Sequence, residues 1–61
     1  MKKVVMLANL WLLSEDKKSK VLLNRNEVIE VKVHDTLEEV FVYEKDGYKY
    51  LIHETFLIKF L

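Results

Sequence analysis

Apolar and polar positions along the chain mark out a succession of short strands. From Glu27 to His34 the two classes alternate, with Ile29, Val31 and Val33 on one side and mostly polar side chains on the other. A period of two is the signature of a half-buried strand. Glu39 to Lys45 is rich in Val, Phe and Tyr, which favour the pleated surface of a sheet. Thr36-Leu37-Glu38-Glu39 matches a helix capping box, but the Val-Phe-Val-Tyr run behind it is a poor helix and a good strand. Asp46-Gly47 predicts a type I′ hairpin, because both central residues of that turn need positive φ and this dipeptide tolerates it. Before these segments, an apolar run from Val4 to Leu13 is separated from Val21-Leu22-Leu23 by Ser14 to Lys20, which holds five charges in seven residues and reads as a solvated loop. A last short strand is expected over Phe56 to Leu61.

The Asp46-Gly47 turn sets a register. Lys45 faces Tyr48, Glu44 faces Lys49, Tyr43 faces Tyr50, Val42 faces Leu51, Phe41 faces Ile52 and Val40 faces His53. Opposite charges meet, and like apolar types meet, as cross-strand pairing favours. Carried back through a loop over Asp35 to Glu38, the scheme pairs Val33 with Val40 and Val31 with Val42. One face of this antiparallel meander is then Ile29, Val31, Val33, Val40, Val42 and Leu51, and the other holds Phe41, Tyr43, Tyr48, Tyr50 and Ile52. A barrel this small covers only one of them.

The stretch Val21-Leu22-Leu23-Asn24-Arg25-Asn26-Glu27-Val28-Ile29-Glu30-Val31, then Glu39-Val40-Phe41-Val42-Tyr43, and Asp46-Gly47-Tyr48-Lys49-Tyr50-Leu51 resemble the apolar–turn–Glu–strand segment, the central strand and the distal hairpin of the SH3-like small β-barrel family. Ser14 to Lys20 takes the place of that family's RT loop. The resemblance spans nearly the whole chain, and it implies an all-β, five-stranded SH3-like barrel with a central antiparallel meander over residues 1–61. The peptide groove of the family's eukaryotic signalling branch has no counterpart here. Met6-Leu7-Ala8-Asn9-Leu10-Trp11 lacks its tyrosines, no Trp lies in the third strand, and His53-Glu54-Thr55-Phe56 has no Pro. A reader of PxxP peptides is therefore not implied, and fold resemblance alone carries no function.

Charge and composition narrow the chemistry. Ten basic and ten acidic residues balance to zero, which removes the footprint of a protein that grips phosphate backbones. The balance is uneven along the chain. Residues 1–32 hold seven Lys/Arg against four Asp/Glu, net +3, and residues 33–61 hold three against six, net −3. Such a dipole suits orientation of a protein partner. With one Gly there is no phosphate-cradling loop, and with no Cys there is no thiolate, disulfide or cysteine zinc site. Two serines, both in the charged loop, leave no plausible nucleophilic triad. Lys2-Lys3 and the following apolar run mimic a signal peptide, but the run is far short of the ~20 residues a membrane span needs. A buried first strand or helix and a cytoplasmic chain are expected, the strand completing the barrel order.

Two sites are expected on this scheme. His34 opposite Glu39, and Glu39 opposite Glu54, would align an imidazole with two carboxylates, a weak candidate for a divalent metal and more simply a solvated rim. The aromatic face admits three readings, namely the barrel core, a protein interface, or a base-stacking platform. We expect Phe41, Tyr43, Tyr50 and Ile52, with Lys32 beside them, to lie outward and bind a partner protein or a second copy. No cofactor, metal or membrane is expected, and nucleic acid is the weaker alternative to a non-catalytic protein-interaction module, such as a regulator or inhibitor of a larger protein.

Overall fold

A computed structural model describes residues 1–59. Within them the chain is all-β with antiparallel sheets. It runs β1 (Lys2–Met6), β2 (Leu10–Leu13), β3 (Lys20–Leu23), β4 (Val28–Val33), β5 (Val40–Lys45), β6 (Tyr48–His53), a 3-10 turn (Glu54–Phe56) and β7 (Leu57–Lys59). Five strands form one sheet in the order β6-β5-β4-β1-β7, and β2 with β3 forms a separate hairpin. No strand pairing closes the larger sheet on itself among the described residues. No helix among them is long and apolar enough to cross a membrane.

The expected single strand over Val4 to Leu13 is two strands. After Met6 the backbone leaves the sheet, with Leu7 N donating to Phe56 O at 2.9 Å and Asn9 Oδ1 accepting from Arg25 N at 2.8 Å. The charged loop then joins β2 to β3. Asp16 Oδ1 accepts from Ser14 Oγ (2.6 Å) and from Lys18 N (3.0 Å), and Ser14 Oγ accepts from Ser19 N (3.0 Å). These bonds give the buried Ser14 its partners, as a buried hydroxyl requires. The final strand begins at Leu57, one residue after the expected start, because Phe56 completes the 3-10 turn; the expected end at Leu61 lies outside the described residues.

The Asp46-Gly47 hairpin has the expected register at every pair from Lys45↔Tyr48 to Val40↔His53. Asp46 (φ 53°) and Gly47 (φ 83°) are both left-handed, as a type I′ turn requires. An added Cβ at Gly47 would meet open space, so a side chain there is opposed by backbone strain alone. Gly47→Val should lower stability by about 1 kcal/mol or more, read as a shift in the urea midpoint. An unchanged midpoint would contradict the turn.

The β4–β5 register differs from expectation by one residue. Lys32 pairs with Val42 and Val33 with Phe41, in place of Val33 with Val40. The connection is longer than the expected loop because His34 belongs to the turn. Its ring Nδ1 accepts from Thr36 N (3.2 Å) and Leu37 N (3.1 Å), and its backbone N donates to Val40 O (3.2 Å). A slip of one residue moves a strand's whole apolar set to the other face. Ile29 and Val31 therefore share their side with Phe41, Tyr50 and Ile52, and the expected grouping of Val31 with Val42 and Leu51 is overturned.

That shared side is the core. Phe41 (1% exposed), Tyr50 (2%) and Ile52 (1%) pack with Ile29, Val31, Val4, Met6 and Leu57, and the hairpin adds Val21 and Leu23, with Leu10 and Leu12 partly buried against them. The outward location expected for Phe41, Tyr50 and Ile52 is corrected: the register sets them inside. Tyr43 is half-buried and packs against the same cluster, its ring centroid 6.0 Å from that of Tyr50.

Candidate protein-interaction surface

Of the residues expected to meet a partner, Lys32 alone is well exposed, and its Nζ lies 2.8 Å from Glu44 Oε1. This contact, first through its hydrogen bond and then through charge, holds the Glu44 carboxyl below its ordinary value. Lys32, Val42, Glu44 and Lys49 line an open cleft of about 360 Å³ with Glu15, Val33, His34 and Asp35. Its lining mixes Lys32 and Lys49 with Glu15, Asp35 and Glu44, so the cleft presents no single sign of charge to a ligand.

The row of His34, Glu39 and Glu54 is not assembled. The slipped register sets His34 against Val40, and the contact between Glu39 and Glu54 is a backbone one, Glu54 N donating to Glu39 O at 2.8 Å. Among the described residues no three His or carboxylate side chains are grouped to hold a metal ion. Because His34 Nδ1 accepts two backbone N–H groups, the neutral ring carries its proton on Nε2. His53 is spent differently, its Nδ1 accepting from Thr55 N at 3.2 Å to cap the 3-10 turn.

The unusual surface lies on the hairpin. All four residues of β2 are apolar, and only alternate ones can face the core. Leu10 and Leu12 do so, leaving Trp11 (65% exposed) and Leu13 (54%) outward. β3 repeats the pattern, with Val21 and Leu23 buried and Lys20 and Leu22 outward. The register sets Trp11 beside Leu22 and Leu13 beside Lys20, so three large apolar side chains adjoin. The Lys20 ammonium stands 5.9 Å from the Trp11 ring centroid, within cation–π range. Lys17, Lys18 and Lys20 with Leu13 and Ser19 line a shallow hollow of about 430 Å³ at the loop end. The chain matches none of the family models, curated proteins or solved structures compared with it.

Sequence reasoning passed over Trp11, Leu13 and Leu22 by treating Val4 to Leu13 as one buried strand. The signal was present in Leu10-Trp11-Leu12-Leu13, since a hairpin flanking one core cannot bury both sides of an all-apolar strand.

The loop beneath this surface is held by the Asp16 carboxylate. The Ser14 hydroxyl, then the Lys18 amide, hold its carboxyl below the ordinary value. A carboxyl depressed in the folded state favours folding above its unfolded pKa, and that contribution is lost as pH falls through the folded one. From about pH 4 downward the Lys18 and Ser19 amide resonances should therefore shift as the loop loosens. Asp16→Asn should remove that inflection; an identical profile in the variant would assign it to another group.

Proposed function

We propose that this chain is a non-catalytic protein-interaction module, acting as a regulator or inhibitor of a larger protein, with the outer face of the β2–β3 hairpin as its contact surface. The adjoining exposure of Trp11, Leu13 and Leu22 carries this reading. Grouped aromatic and aliphatic side chains with a charged rim are the composition of interface cores, and exposed Trp is prominent among residues that dominate binding energy. The scaffold we propose is the SH3-like small barrel. The order of first strand, hairpin with charged tip, three-stranded meander, 3-10 turn and last strand supports it, as does the first strand lying between the meander and the last strand.

Capture from the source cell with wild-type and Trp11→Ser/Leu22→Ser bait tests the reading. Wild type should retain a discrete partner that the variant loses, at equal melting temperature, because these exposed side chains contribute little to folding. Equal retention by both baits would overturn it. The rival reading, a nucleic-acid-binding barrel, draws on Trp11 standing beside Lys20. It requires a gel shift that weakens steeply with salt.

A further inference from the structure

The two histidines of the chain, His34 and His53, are bound into neighbouring turns, and the two settings treat a proton differently. His34 Nδ1 accepts from Thr36 N at 3.2 Å and from Leu37 N at 3.1 Å. A neutral imidazole has one acceptor nitrogen, and protonation turns it into a donor. A proton taken from solvent onto Nδ1 therefore points at two backbone amides that have only hydrogens to offer. The Thr36 hydroxyl could accept it, but its oxygen lies 3.4 Å away, beyond the usual N–H···O range of about 2.7–3.2 Å. His53 Nδ1 also accepts from an amide, Thr55 N at 3.2 Å, yet the Thr55 hydroxyl stands 2.9 Å from the same nitrogen. A hydroxyl donates or accepts by rotating, so a protonated His53 keeps a short bond to its own turn.

The His34 bonds belong to a larger set. Its backbone N donates to Val40 O at 3.2 Å, and Val40 N donates to Leu37 O at 3.3 Å, so the ring closes the connection between Val33 and Val40. Val33, His34 and Asp35 line the open cleft. The charged groups facing His34 there are Glu15 from the charged loop, Lys32 from β4, Asp35, Glu44 from β5 and Lys49 from β6. Glu38 and Glu39 follow in the same connection, with His53 and Glu54 across from Val40 and Glu39. The one ion pair among the described residues joins Lys32 to Glu44, so no carboxylate among them is paired with the His34 ring.

We infer that His34 is a pH-sensitive switch of the β4–β5 connection. The neutral ring holds residues 35–39 in place, and protonation of Nδ1 releases them and with them part of the cleft lining. The strands on either side stay paired, because Phe41 is buried and is held between Val33 and Ile52 in the ladder. Trp11 lies on the separate hairpin, so release of this segment leaves the proposed contact surface intact.

Amide exchange at Val40 reads the connection when variants are compared at one pH, because the intrinsic acid and base dependence of exchange then cancels. His34→Asn supplies a side-chain oxygen that accepts from nearby amides further along the turn and does not titrate. It also leaves the surrounding carboxylates and lysines in place. At about pH 8, Val40 should exchange alike in wild type and His34→Asn, and about fivefold or more faster in His34→Ala. Imidazole takes up its proton between about pH 8 and pH 5. Over that range the wild-type rate should leave that of His34→Asn and converge on that of His34→Ala. His53→Asn should converge as wild type does, and Phe41, inside the ladder, should exchange alike in all these forms.

Equal rates for wild type and His34→Ala at about pH 8 would overturn the switch, as would an unchanged gap between them at about pH 5. Convergence of His34→Asn on His34→Ala would assign the effect to another group, and its loss in His53→Asn would assign it to the other imidazole. A matching rise at Phe41 would show general loosening in place of local release. A ring nitrogen spectrum at about pH 8 with the His34 proton on Nδ1 would remove the bonds on which the switch depends.

Discussion

Phe41→Ala should leave the chain largely unfolded at room temperature. Phe41 is the largest fully buried side chain among the described residues, and it pairs with Ile52 and Val33 at the centre of the meander. Emptying such a site costs about 3–5 kcal/mol. A core of this size rarely supplies more than about 3–5 kcal/mol in all, so the loss is comparable to the whole stability. Far-UV circular dichroism and a urea titration read it directly. A cooperative transition within about 1 kcal/mol of wild type would mean that Phe41 is not in the core and that the β4–β5 register is wrong.

Tyr50 should separate two contributions that meet in one side chain. Its ring is buried beside Tyr43, and its hydroxyl donates to Ser19 Oγ at 3.1 Å, tying the meander to the charged loop. Tyr50→Phe keeps the ring and removes the bond, a loss of about 1 kcal/mol. Tyr50→Ser removes the ring as well and should cost about 3 kcal/mol or more. Chemical denaturation of both variants gives the comparison. If Tyr50→Ser folded as well as wild type while losing partner capture, the aromatic face would be a binding surface after all.

The scaffold for both experiments follows largely from local chemistry. Positive φ at Asp46 and Gly47 follows from the dipeptide itself, and a two-residue turn leaves no freedom in register. Every β5–β6 pair was therefore legible from residues 40–53. The same holds for the alternating strand β4 and for the charged loop, where five charged side chains in seven residues cannot be buried together.

The choice of face was not local. Between Val33 and Val40 the chain is long enough to turn in more than one way, and His34 settles it by giving its ring nitrogen to the Thr36 and Leu37 amides. That turn shifts β5 by one position and carries Phe41 to the side of Val31. The alternation of β5 and β6 reads equally well with either side inward, so nothing within those strands distinguishes core from surface. The candidate surface was hidden for a related reason. Leu10 to Leu13 are uniformly apolar, and only the packing of the hairpin against the meander determines that Leu10 and Leu12 turn inward while Trp11 and Leu13 remain in solvent. Residue identity determined the strands and the tight turn. Burial on one side only, a property of the assembled sheets, decided which side chains became core and which were left to meet a partner.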